Sequence, residues 1–150
     1  MPEVSFYHLE RQSLDEALAQ LLEKACQAQL KSVVRVSNTM LLNSLDKALW
    51  EKPLNSFLPH ATAKDKFLQQ QQVFLSENDD NPAKATLLFI INDAEFSSFE
   101  GYDRVFYVFE GQNQLNVDHA REIWKKLRDE GVSLKYWQQG ERGNWQLKAG

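Results

Sequence analysis

The most apolar stretch of the chain, Ala85-Thr86-Leu87-Leu88-Phe89-Ile90-Ile91, constrains the fold more than any other feature. It is too short for an ordinary helix and shows no apolar–polar alternation. It therefore reads as a strand buried on both faces, the kind that sits inside a parallel sheet with helices above and below. Its neighbours supply the rest of that architecture. Val4 to Leu9 alternates aromatic and apolar residues with polar ones and predicts an opening strand. Ser13 and Glu16 have capping-box spacing, and Leu14, Ala17, Leu18, Leu21, Leu22 and Ala25 recur at helical intervals, which predicts a helix to about Gln29. Val33-Val34-Arg35-Val36 is short and β-branched, a second strand. Strand, helix and strand in succession form the pattern of a right-handed βαβ unit, so an α/β fold is expected.

The same reading extends to the C-terminus. Leu41, Leu42, Leu45, Ala48 and Leu49 predict a second helix that reaches Trp50 and is stopped by Pro53. Leu54 to His60, containing Pro59, reads as an ordered loop with exposed apolar residues, and Thr62 to Gln72 as polar surface. Val73-Phe74-Leu75 predicts a strand, Ser76 to Lys84 an acidic loop, and Asp93 to Phe99 a short helical turn. Arg104 to Phe109 predicts another strand and Leu115 to Glu130 a long helix ended by Gly131. Val132 to Trp137 is expected to close the sheet, with Asn144 to Leu147 as a last edge strand after the Gly140 and Gly143 turn. No internal repeat or boundary interrupts this order. The expectation is one α/β domain over residues 1–150, with a mostly parallel central sheet flanked by helices.

Composition narrows the function. A chain of 150 residues, 43% hydrophobic and 25% charged, can bury a full core without a disulfide or metal staple, and its single Cys26 can form no internal bridge. No run approaches the roughly 20 apolar residues of a membrane-spanning helix. Met1-Pro2-Glu3-Val4-Ser5 lacks the basic and apolar regions of a secretory signal, so a cytoplasmic protein with no membrane partner is predicted. A net charge of −4 and a pI near 5.4 argue against a surface that grips nucleic acid throughout, because neutralising phosphates requires clustered cations.

Catalytic and cofactor motifs are missing where such a sheet would carry them. The first strand-to-helix connection, His8-Leu9-Glu10-Arg11-Gln12-Ser13, has no glycine, and neither GxxxxGK[ST] nor GxGxxG occurs, so a Rossmann-like sheet without a phosphate-binding loop is expected. His8, His60 and His119 are far apart in sequence and give no metal-ligand spacing. Cys26 falls on or near the packing stripe of its helix, Asp79-Asp80 reads as loop solvation, and no G-x-S-x-G elbow exists. No cofactor, metal or catalytic residue is assigned. On the late helix Ala120, Ile123, Trp124 and Leu127 make one stripe, and Arg121, Lys125 and Arg128 form a basic ridge beside it. Taken alone, the ridge is equally well described as solvated cations near a helix C-terminus.

The blocks Phe6-Tyr7-His8-Leu9, Ala25-Cys26, Leu45-Asp46-Lys47-Ala48-Leu49-Trp50, Ser56-Phe57-Leu58-Pro59-His60 and Ala120-Arg121-Glu122-Ile123-Trp124-Lys125 resemble, in order, signatures of the chi subunit family of the bacterial DNA polymerase III clamp-loader assembly. L-D-x-A-L-W followed by S-F-[LV]-P-H is the specific part. The resemblance implies a non-catalytic adaptor in DNA replication with two partners and only indirect contact with nucleic acid. The acidic, Phe-ended C-terminal tail of single-stranded DNA-binding protein would bind at Trp50, Arg121, Lys125 and Arg128, where cations beside an apolar pocket can hold carboxylates while a ring is desolvated. The psi subunit, or an accessory helicase, would bind at Phe57, Leu58, Pro59 and His60. Trp50 could equally be a helix-end core residue, and Phe57 a loop side chain folded onto the core. A basic residue found one turn before the arginine in some relatives is replaced here by the stretch Leu115-Asn116-Val117-Asp118, which implies a weaker or rearranged tail site. The segment Lys66 to Lys84 matches nothing and receives no role. Two alternatives stand beside this reading. One is an α/β nucleotide enzyme with an unusual site. The other is a single-strand binder stacking bases on Trp50, Trp124, Trp137 or Trp145, which the net charge opposes.

Overall fold

A computed structural model of the chain describes residues 3–10, 12–28, 30–51, 60–62, 73–77, 84–92, 94, 101–140 and 145–149, with the backbone alone at 26, 27, 48–51, 60–62 and 149. Its elements are β1 (Glu3–Leu9), α1 (Leu14–Gln27), β2 (Ser32–Arg35), α2 (Thr39–Glu51), β3 (His60–Thr62), β4 (Val73–Ser76), β5 (Leu87–Ile91), β6 (Arg104–Glu110), α3 (Gln114–Asp129), β7 (Leu134–Gln139) and β8 (Trp145–Ala149). The described strands form one sheet in the order β3-β4-β2-β5-β6-β1-β7-β8. All neighbours run parallel except β7 and β8.

The apolar run at Ala85 to Ile91 lies inside this sheet, between β2 and β6, and every residue of β5 is buried. The mostly parallel α/β class is as expected. Local chemistry fixes the helix ends. The Ser13 hydroxyl accepts from the Glu16 amide at 3.4 Å, the Asn38 side chain accepts from the Leu41 amide at 2.8 Å, and Asn113 accepts from the Leu115 amide at 3.0 Å. Beyond α3, Gly131 has φ +80°, a left-handed conformation that glycine adopts without strain.

The β1–α1–β2 segment crosses between parallel strands of one sheet, as expected, and steps over β6 and β5, which lie between β1 and β2. A helix of fourteen residues is long enough to step over two strands, and local sequence carries no measure of that step. His60, expected in a loop, begins the short edge strand β3, which pairs with β4 over His60↔Val73 to Thr62↔Leu75. At the other end of the sheet β8 lies outside β7 as the last edge strand, as expected. Residues 54–59, 63–72 and 78–83, together with 93 and 95–99 of the expected helical turn, lie outside the described residues.

The strands' period of two divides the core between two layers. On one face Leu9, Val34, Leu75, Phe89 and Val108 meet Leu18 and Leu22 of α1 and Leu45 of α2. On the other, Phe6, Val33, Phe74, Leu88, Ile90, Tyr107 and Phe109 meet Val117, Ala120 and Leu127 of α3. Among the described residues no helix is long and apolar enough to cross a membrane.

Candidate functional site

β1 and β7 are parallel neighbours, and their alternation points Phe6 and His8 of one, and Tyr136 and Gln138 of the other, toward the layer of α3. α3 joins β6 to β7 and so crosses β1. From β1 itself the chain departs through α1, on the opposite face and toward β2. Chain connections thus diverge at β1, the place where open α/β sheets commonly bind ligands. A groove of about 680 Å³ lies there, walled by Arg121, Glu122, Trp124 and Lys125 of α3 and floored by His8, Tyr136 and Gln138.

The floor is aromatic. Phe6 stacks on Tyr107 with centroids 5.1 Å apart, Trp124 meets Phe6 edge-on at 5.2 Å, and Trp124 meets Tyr136 edge-on at 5.7 Å. Such contacts hold the rings in fixed orientations, because the negative face of one attracts the positive edge of another. Above them Arg121 and Lys125 are exposed, one helical turn apart, and Glu122 stands beside them. The groove therefore presents cations over a half-buried apolar surface.

At its strand-end wall, His8 Nδ1 lies 2.7 Å from the Tyr136 hydroxyl, His8 Nε2 lies 3.7 Å from a Glu10 carboxylate oxygen, and Gln138 Nε2 donates to that oxygen at 2.7 Å. Burial lowers the His8 pKa below its ordinary value, Glu10 opposes the shift, and Arg121 reinforces it. Burial raises that of Tyr136, against the Arg121 charge and with the Glu10 charge. Gly111, in the turn from β6 to α3, backs the His8 ring: a Cβ there would overlap the imidazole and stand 2.7 Å from the Leu9 carbonyl oxygen.

The β1–α1 turn, which holds phosphate in nucleotide-binding sheets, is occupied by a side chain of the protein. Buried Gln139 accepts from the Glu10 amide at 3.0 Å and from the Gln12 amide at 3.1 Å, and donates to the Gln12 side chain at 3.0 Å. Both amides are thereby satisfied within the protein, leaving neither to meet a phosphate. Among the described residues no three His, Cys, Asp or Glu side chains converge to hold a metal ion.

The family described as DNA polymerase III chi subunit, HolC, matches residues 1–135. The chain belongs to the chi subunit family. A protein of Rickettsia prowazekii (strain Madrid E) named "Probable DNA polymerase III subunit chi" is 27% identical over 109 residues, which are 71% of this chain and 66% of the relative, slightly under two thirds of its length. The chi family is a non-catalytic component of the DNA polymerase III complex.

Of the residues that chi resemblance singled out, Arg121 and Lys125 line the groove. Arg128 does not. It is exposed one turn further along α3 and lies 3.9 Å from the carboxylate of its neighbour Asp129. Trp50 is not brought to the ridge by the backbone: α2 belongs to the opposite layer and packs toward β3 and β4, whereas α3 packs toward β6 and β7. The grouping of Trp50 with Arg121 rested on the family resemblance alone, and the backbone of α2 carries position 50 in the layer of α1. Phe57, Leu58 and Pro59 lie outside the described residues, and His60 is described only as backbone in β3. Sequence reasoning missed His8, Tyr136, Gln138 and Glu122 as groove residues. The alternation Phe6/His8 and Leu134/Tyr136/Gln138 carried a signal for the floor, but showing that β1 and β7 are neighbours required the sheet order. In the stretch lacking the additional basic residue, Asn116 and Val117 are buried, and exposed Asp118 accepts from Gln114 at 2.8 Å.

Proposed function

We propose that this chain is an adaptor of the bacterial DNA polymerase III clamp-loader assembly whose α3 groove takes the acidic, Phe-ended C-terminal tail of single-stranded DNA-binding protein. The observation that carries the reading is the pairing of Arg121 and Lys125 with the Trp124 and Tyr136 rings in one groove. The cations suit aspartates and a terminal carboxylate, and the rings suit a terminal phenylalanine, whose desolvation supplies much of the affinity. Calorimetry with a synthetic tail peptide tests it. Binding should weaken as salt rises, since exposed ion pairs are screened. Arg121→Ala should cost about 1–3 kcal/mol of binding. No binding at low salt would refute the assignment.

The segment Phe57, Leu58, Pro59 and His60 is the proposed docking site for the psi subunit or an accessory helicase, on the strength of its match to S-F-[LV]-P-H and the family membership. Phe57→Ala should weaken psi binding by about 2 kcal/mol or more while leaving tail-peptide affinity and melting temperature unchanged. A large loss of thermal stability would place Phe57 in the core instead. In this reading contact with nucleic acid is indirect, through the single-stranded DNA-binding protein, and the chain works in the cytoplasm.

A further inference from the structure

The groove contains one polar pair that holding an acidic tail by its rim cations would not require: His8 and Tyr136, 2.7 Å apart at the floor. The ring is seated from every side. Gly111 closes against it, Phe109 lies 5.0 Å away centroid to centroid, and Tyr136 meets it edge-on at 6.0 Å. The charged and titratable groups that act on it are Glu10 just beyond β1, Arg121 from α3 and Tyr136 from β7, and at the β6–α3 turn the uncharged Gly111 backbone closes against it.

A Glu10 carboxylate oxygen, which can only accept, stands 3.7 Å from Nε2, too far for a hydrogen bond but close enough for its charge to favour the neutral-ring proton there, with Nδ1 left as an acceptor. The Tyr136 hydroxyl then donates to Nδ1 and turns a lone pair toward the groove. A proton added to His8 resides on Nδ1 and reverses the bond: Nδ1 donates, the phenol oxygen accepts, and the hydroxyl hydrogen is released toward the groove. The floor changes from an acceptor to a donor with a cation behind it.

From this we infer that His8 and Tyr136 form a proton-linked anion subsite, in which Tyr136 contacts a carboxylate of the bound acidic peptide and His8 sets the polarity of that contact. The inference rests on the peptide reading of the groove. A carboxylate seated between Arg121 and Tyr136 also offsets the Arg121 charge that, after burial, helps to keep His8 neutral. Binding then takes up a proton, and affinity rises as pH falls from the raised pKa of the complex toward the lowered pKa of the free chain. Aspartates and a terminal carboxylate titrate well below this range, so they add no slope of their own.

Calorimetry with an acidic peptide ending in phenylalanine, run at about pH 7.5 and about pH 5.5 in buffers of different ionisation enthalpy, tests the linkage. The wild-type chain should bind roughly three- to tenfold more tightly at the lower pH, with fractional proton uptake, since one unit of pKa shift is tenfold. His8→Gln should abolish both the pH gain and the uptake. Tyr136→Phe should lose most of the pH gain and, by linkage, the same share of the uptake. In the unsubstituted protein, the NMR titration midpoint of the His8 ring should move up when peptide is bound, a readout that does not depend on a variant folding. An unmoved midpoint, or a His8→Gln protein with the wild-type slope, overturns the inference even if Arg121-dependent binding is intact. Failure of the peptide to bind at any pH would bring down the functional reading itself, and this subsite with it.

Discussion

The two faces of the sheet are built from the same strands and put to different uses. Under α1 and α2 the filling is mainly aliphatic: Leu9, Val34, Leu75 and Val108 meet Leu18, Leu22 and Leu45, and two helices cover them. Under α3 the filling is ring-rich, with Phe6, Tyr107, Phe109, Trp124 and Tyr136 beneath one helix whose buried contacts include the small Ala120. Aliphatic side chains have no polar end and pack to full density. Rings with hydroxyl, imidazole or indole groups need an outlet for those groups, and a single helix leaves one along β1 and β7. Residue chemistry and helix cover together set the two faces apart.

Substitutions on the two layers should separate these uses. The largest effect is expected on the closed face: Leu22→Ala, at a fully buried position, should cost about 2–5 kcal/mol in denaturant unfolding and leave tail-peptide affinity unchanged in the folded fraction. Equal loss of peptide affinity in that fraction would mean that the two layers are not independent. Next in size is Gly111→Ala. Its methyl must displace His8 into the groove and press on the Leu9 carbonyl, costing roughly 1–3 kcal/mol of stability and at least as much in peptide binding. Full peptide affinity in this variant would show that the His8 end of the groove is not used.

The smallest effect is a pH dependence confined to the open face. The pKa of His8 is lowered in the folded chain, so the unfolded chain takes up the proton more readily. The stability gained from a neutral His8 is complete above the unfolded value of 6.5 and is lost as pH falls toward the lower folded value. The melting temperature should therefore decline between about pH 7.5 and pH 5.5, and less so in His8→Gln. The hydrophobic cluster under α1 and α2 is built of groups that do not titrate between these pH values and should contribute nothing to this difference.

Local sequence determined a large part of this protein. The apolar run of β5, the period of two in β1, the capping residue Ser13, and Gly131 each act over a few residues, so these strands and helix ends were legible from composition and spacing. The ridge of Arg121 and Lys125 was legible for the same reason, since helical period alone places them on one face. What the sequence left undecided was order in space. Whether β1 pairs with β2 or with β6 and β7 depends on how far each crossover helix reaches over the sheet, a competition among layers that no single segment encodes. That order brought His8 beside Tyr136, residues 128 apart in the chain, and put α2, with Trp50, on the opposite layer from the cations it had been grouped with.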